Sequence, residues 1–417
     1  MLLLLGMVFG FAVFHIAGLR WVPLATQAFY GGLLVWGVLL LLLHWKRFLP
    51  WALMDVLFLA FLIFVSVSLL SMNSDVLFYA KLLPFLVLLP YALGRLTDES
   101  DVEIFLRVLP WLGVLLLLLC VIDYLWVPAS GPLYSRISFF GIDHSPLLIA
   151  RVLSLSTLAL AMFLAGQTLS SASVIWKTAA MWAIFGVLTI AMVLIAARGV
   201  LIVTAVTLVL ISAVTRVSVL RKLLLLSYFG VMVWGSYTML PSPVAQFYER
   251  LLATGAGGSL VGGVGNINVD AVRRTDPRCK PLLEGVNSTA IRLVLYREAV
   301  DLSLRHPLTG VGAGNFGNHS CAGPKSYPHS TILQAFAELG IIGGGLLLAL
   351  FASTLVSITR ALFSKKIVVP HAIFWLSLLA FFGMTDQVYG SYFMAAGSFF
   401  IFGVSGRLAV RHHMSLV

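Results

Sequence analysis

One histidine and three basic residues have the types and placement that chemistry on a phosphate-bearing ligand needs: His329, Arg292, Arg198 and Lys81. His329 stands in Tyr327-Pro328-His329-Ser330, directly ahead of a long apolar run. An imidazole at a helix N-terminus feels the positive end of the dipole, which disfavours protonation and keeps the neutral form of a general base. By itself a histidine in such a place is more often an interface residue. Arg292 lies in STAIRLVLYREAVDLSLR, which starts on Ser288 and stops before Pro307, so a helix is expected over 288–305. On that helix Arg297 and Arg305 each have Asp301 four residues away, whereas Arg292 has only Ser288 and Tyr296. Arg292 is therefore the arginine left to bind something else, against the plain reading of a solvated surface residue.

Arg198 occupies a tight connection, Ala197-Arg198-Gly199, between two apolar runs. Lys81 and Glu338 fall inside such runs, roughly 8–12 Å below the outer surface at about 1.5 Å per residue. Charges at that depth are costly and face a cavity or each other. One reading is a Lys81–Glu338 ion pair. The other gathers Lys81, Arg198 and Arg292 around a phosphate, since no cluster of acids matches them.

These residues need a scaffold, and composition says which. Of the 417 residues, 60% are hydrophobic and 10% charged, where soluble domains carry about 25% charged residues. The apolar runs have the ~17–25 residues that a helix needs to cross the hydrocarbon core. They do not alternate as barrel strands would. The expected fold is an all-α polytopic integral membrane protein with about twelve spans. Residues 1–240 would supply spans one to nine, 241–328 a large, partly helical outer loop, and 329–417 the last three. Met1–Leu19 has no basic n-region or cleavage site and reads as a first span.

Lys and Arg of short loops accumulate on the cytoplasmic side. Lys46, Arg47, Arg95, Arg107, Lys177, Arg216, Arg221, Lys222, Arg360, Lys365, Lys366, Arg407 and Arg411 share one face if the N-terminus is inside. Both termini are then cytoplasmic and the long loop lies outside. The net charge of +11 follows from these loops and is no sign of nucleic-acid binding.

Cys279 and Cys321 both fall in the outer loop, where an oxidising compartment favours a disulfide over two free thiols. Gly255–Gly265 lacks the Gly-Lys-Ser/Thr ending of a phosphate loop and reads as linker. Residues 310–314 (GVGAG) follow His306-Pro307, not a strand, and read as a turn. Asp386 with Gln387, and Arg136 with His144, stand in other outer connections and could help hold a ligand, or simply end helices. With no Asp-x-Asp and no His/Asp/Glu cluster in the outer loops, no metal and no other cofactor is expected.

His329-Ser330, nine residues, then Gly340-Ile341-Ile342-Gly343 resembles the His-[Asn/Ser/Gln]-x9-Gly-x-x-Gly signature of bacterial O-antigen ligases. Arg292 through Arg297-Glu298-Ala299 to His306-Pro307-Leu308-Thr309-Gly310, with Gly312, Gly314 and Phe316, resembles the wider ligase and polymerase superfamily. So does Ala197-Arg198-Gly199, although Ser or Thr is frequent in the family where Ala197 stands. The resemblance spans about 190–345. It implies a glycosyltransferase in the bacterial inner membrane, working on its periplasmic face. The donor would be a glycan on undecaprenyl diphosphate, the acceptor lipid A-core, with membrane lipids around both. By position, His329 would be the catalytic histidine, and Arg198, Arg292 and Lys81 would hold the diphosphate. Gly340 and Gly343 would let a neighbouring helix approach. Rival readings are an O-antigen polymerase, a protein-glycosylating oligosaccharyltransferase of the same superfamily, and a lipid-linked oligosaccharide transporter.

Overall fold

A computed structural model describes residues 51–72, 83–126, 137–139, 142–144, 146–166, 172–194, 198–214, 218–238, 288–321, 326–364 and 392–414, with isolated positions elsewhere. In chain order the helices are α1 Leu53–Met72, α2 Leu89–Leu96, α3 Glu99–Trp126, α4 Pro146–Gly166, α5 Ala172–Leu194, α6 Arg198–Val214, α7 Val219–Thr238, α8 Ser288–Arg305, α9 Phe316–His319, α10 Thr331–Phe363 and α11 Tyr392–Met414. A π-helical turn, Pro84–Leu88, leads into α2. The two strands among the described residues, β1 Ile137–Phe139 and β2 Ile142–His144, form an antiparallel hairpin with Ile137 opposite His144.

Five helices among the described residues are long and apolar enough to cross a membrane: Leu53–Ser71, Asp101–Leu119, Trp176–Leu194, Val219–Ser236 and Thr331–Phe363. Ile149–Leu164 and Val200–Ala213 are shorter apolar helices. Large apolar side chains such as Val231 and Trp234 are exposed along them, which suits contact with lipid. The chain is an integral membrane protein.

The chain forms two compact units. The first holds α3 to α7 and the hairpin. Its interior keeps hydroxyls satisfied within helices, as lipid surroundings require. Thr157, Thr189 and Thr204 each donate to the carbonyl one turn back, and Ser154 meets Thr204 at 2.6 Å between α4 and α6. Ser156 donates to Leu109 O across the α3–α4 contact at 2.8 Å, where Gly113 leaves room for it.

The second unit holds α1, α2 and α8 to α11. Gly94 of α2 and Gly403 of α11 bring two backbones together: a Cβ on either would strike a carbonyl of the other helix. Beside that crossing, Asp55 accepts from Arg95 Nε at 2.7 Å and Nη2 at 3.0 Å, from Tyr91 Oη at 2.7 Å and from Ala52 N at 2.7 Å. The Tyr91 ring stacks on Phe58 at 3.7 Å between centroids. Arg95 is fully buried. Placed by sequence among the charges of the cytoplasmic face, it is the buried half of an ion pair with Asp55.

The helix α10 departs from expectation too. Gly340 has φ +63° and ψ −163°, so α10 is two helical segments meeting at a break. Gly343 does face a neighbour, Phe64 of α1, as expected of it. Gly340 has a different use, taken up below.

Removing one partner of a buried ion pair strands the other charge. Asp55→Ala should therefore destabilise by about 3–5 kcal/mol, and adding Arg95→Met should recover much of that. Thermal unfolding of the purified chain in detergent measures both; equal losses for the single and double variants would contradict the assignment.

Candidate functional site

The helix over 288–305 forms with the expected bounds. Leu295, Ala299 and Leu302 of α8 pack with Phe316 and with Ala337 and Leu333 of α10 in one apolar cluster. After α8 the chain turns at Pro307 and lays 307–312 along the break in α10. Ile341 N donates to Pro307 O at 2.7 Å, Val311 N to Ala337 O at 3.0 Å and Gly312 N to Glu338 O at 2.8 Å. The break exposes backbone groups, and the loop supplies their partners, as buried amides and carbonyls require. Contact is close enough that a Cβ at Gly340 would strike the Leu308 carbonyl, and one at Gly310 the Glu338 carbonyl. Gly310, Gly312 and Gly314 all have positive φ, +68°, +96° and +78°, a conformation that glycine adopts without strain. The GVGAG segment is a turn, and its ligand is internal.

That ligand is Glu338. Its carboxylate is 1% exposed and accepts from Gly314 N at 3.0 Å, Phe316 N at 3.0 Å and Gln334 Nε2 at 3.2 Å. Glu298 of α8 does the same one loop further on, accepting from Ser320 Oγ at 2.7 Å and Cys321 N at 3.0 Å. Cys321 is disulfide-bonded. Two carboxylates thus fasten the segment that leads from α8 back to the start of α10.

At that start sits His329. Pro307 and Leu308, just past the end of α8, lie beside Ile341 and Ile342, while Leu295 clusters with Leu333, so α8 and the first segment of α10 run parallel. Arg292 precedes Leu295 by three residues and His329 precedes Leu333 by four. Both therefore stand at the same end of the helix pair. His329 is half-buried, with its ring 4.2 Å from that of Tyr327 and tilted by 47°. Ser330 caps α10, accepting from Leu333 N at 3.4 Å. His329 has φ +51°, the one non-glycine residue with positive φ among those described. Such strain costs about 1–3 kcal/mol and concentrates where function over-determines the backbone.

Arg292 is exposed and has no ion-pair partner among the described residues. The elimination that isolated it was incomplete. Asp301 pairs with Arg305 at 3.6 Å, both exposed, and Arg297 has no described ion pair either. Arg198 is the first residue of α6, in the other unit. Lys81, Arg136, Asp386 and Cys279 lie outside the described residues. Glu338 stands about 14 Å along the helix axis from His329, counted at 1.5 Å per residue, so it is not brought to His329. The Glu298 clamp was missed from sequence; it depends on Ser320 and Cys321 being returned to α8, which no local spacing announces.

Residues 183–348 match a family described as O-Antigen ligase. That match supports membership of the O-antigen ligase/polymerase superfamily. The matched region runs from within α5 to just past Gly345 and so contains the start of α6, all of α8, His329 and the break at Gly340. Members are glycosyltransferase-like ligases and polymerases, which supports an enzymatic role. No curated protein matches the chain.

Alanine at Gly340 would meet both positive φ and the Leu308 carbonyl, whereas Gly345 has open space around it. Gly340→Ala should cost about 1–3 kcal/mol or more and Gly345→Ala close to nothing. Glu338→Ala, which strands two amides, should be at least as costly as Gly340→Ala, at about 1–3 kcal/mol per lost partner. Melting temperatures of the three variants in detergent, ranked, test the loop-in-break arrangement.

Proposed function

We propose that the chain is an O-antigen ligase: it transfers a glycan from undecaprenyl diphosphate to lipid A-core at the periplasmic face of the inner membrane. The observation that carries this reading is His329, held at positive φ at the head of α10 and at the same end as Arg292. A strained histidine at a helix start, at the same end of the helix pair as an arginine with no ion-pair partner among the described residues, suits a base near an anion site.

In the proposed reaction His329 takes the proton of an acceptor sugar hydroxyl. The hydroxyl oxygen bonds to the anomeric carbon, and the bond from that carbon to the diphosphate oxygen breaks with its electron pair leaving on phosphate. Arg292, Arg198 and Lys81 hold the charge that develops there. A single displacement inverts the anomeric configuration. The lipid diphosphate is already an activated leaving group, so neither nucleotide nor metal is called for. The surrounding topology in this proposal is about twelve spans, both termini cytoplasmic, with 241–328 in the periplasm. Asp386 and Arg136 are proposed to orient the acceptor.

Glycan transfer to purified lipid A-core, measured with EDTA present, tests the reading. Wild type should transfer, and His329→Ala should be slower by about 10²–10⁴-fold with donor binding retained. Arg292→Ala should lower kcat/KM by about 10–100-fold, as loss of a charge-assisted contact worth about 1.5–3 kcal/mol predicts. Elongation of the donor glycan without core would replace the ligase by a polymerase. Retention of anomeric configuration would overturn single displacement.

A further inference from the structure

The break at Gly340 bears on where the membrane ends. Thr331–Phe363 is 33 residues, about 50 Å of helix at 1.5 Å per residue, while the hydrocarbon core is about 30 Å thick. The segment after the break, 341–363, gives about 34 Å by the same rise and is followed at once by Ser364-Lys365-Lys366. Its one charged residue, Arg360, lies three from its end, within reach of the headgroups. The segment before the break carries Gln334 and Glu338, which share the hydrogen-bonded polar cluster with 314–316. The span of α10 therefore begins at the break and not at Thr331.

What stands beside that boundary is unexpectedly greasy. Leu304 is 74% exposed, Leu308 65% and Ile341 61%, with Val300 and Ile342 also exposed. Val300 and Leu304 lie four residues apart on one face of α8, and Leu308, past the turn that ends it, is tied to the break where its carbonyl accepts from Ile342 N at 3.4 Å. Leu348 and Leu355, exposed apolar residues of the span itself, follow Ile341 at seven-residue steps and so lie on the same side of that helical segment. Arg305 and His306, both exposed, sit between the two leucines. Apolar side chains with adjacent cations are the pattern of an element resting in a bilayer interface, where cations meet lipid phosphates.

We infer that the tip of α8, Leu304 to Leu308, dips into the acyl-chain region of the surrounding bilayer beside Ile341 and Ile342, with Arg305 and His306 at the level of the lipid phosphates. The partner is bilayer phospholipid. The seam between 307–312 and the break then holds α8 at the membrane surface, which fixes the height of the helix that carries Arg292. The inference needs only that α10 crosses a membrane and is independent of the reaction proposed above.

Spin labels on the full chain in phospholipid nanodiscs test it. In a Cys120→Ala background, without reductant so that the Cys321 disulfide stays closed, labels are placed at Leu308→Cys, Leu304→Cys, Leu348→Cys and Asp301→Cys. Collision with oxygen, which partitions into lipid, is compared with collision with a water-soluble nickel chelate. The oxygen-to-nickel ratio at Leu308 and Leu304 should be several-fold above that at Asp301 and approach that at Leu348. Ratios matching Asp301 would overturn the inference by placing the tip in water. Low access to both reagents would overturn it equally, because a protein surface would then cover the tip.

Discussion

Backbone amides and carbonyls that leave a helix inside an apolar setting must find partners, and around the break in α10 that demand shapes the second unit. Gly340 opens the helix, and 307–312 closes the gap with its own amides and carbonyls. Gly310 and Gly340 are the two points where the backbones touch, each opposite a carbonyl that a side chain would displace. Because the loop is seated there, the end of α8 is fixed, and with it the placement of α8 along the first segment of α10. Arg292 and His329 share an end of that pair as a consequence.

Two buried or half-buried acids complete the fastening. Glu338 collects the amides of Gly314 and Phe316, and Glu298 the hydroxyl of Ser320 and the amide of Cys321. A carboxylate bound by amide N–H groups keeps its charge solvated without water. The same logic, with an arginine added, gives the Asp55–Arg95–Tyr91 cluster where α2 crosses α11. In each case a charge that looks functional in a list of intramembrane residues is spent on geometry. The residues proposed to meet a substrate, His329 and Arg292, stand together at the other end of the helix pair.

The elements with strong local signals were legible. Ser288 and Pro307 bracket α8, and Ser330 caps α10, because capping and proline act over a few residues. GVGAG read as a turn for the same reason. The pairing of Asp301 was ambiguous, since two arginines lie at equal spacing and only side-chain conformation chooses Arg305. The break at Gly340 was not legible: in an unbroken apolar run, a glycine that packs helices and one that ends a helix look alike.

Composition by itself determined that this is a membrane-embedded helical protein, because 60% hydrophobic residues in span-length runs leave the backbone no other way to satisfy its hydrogen bonds in lipid. The motif around His329 marked where chemistry would sit, since its signals are short-range. Only the tertiary structure decided what each charge is for. Arg95 and Glu338 were assigned to a surface and to a depth by counting along the chain, yet their roles come from partners 40 and 22 to 24 residues away in sequence. Burial in a low dielectric makes such long-range partners compulsory, and sequence spacing carries no record of them.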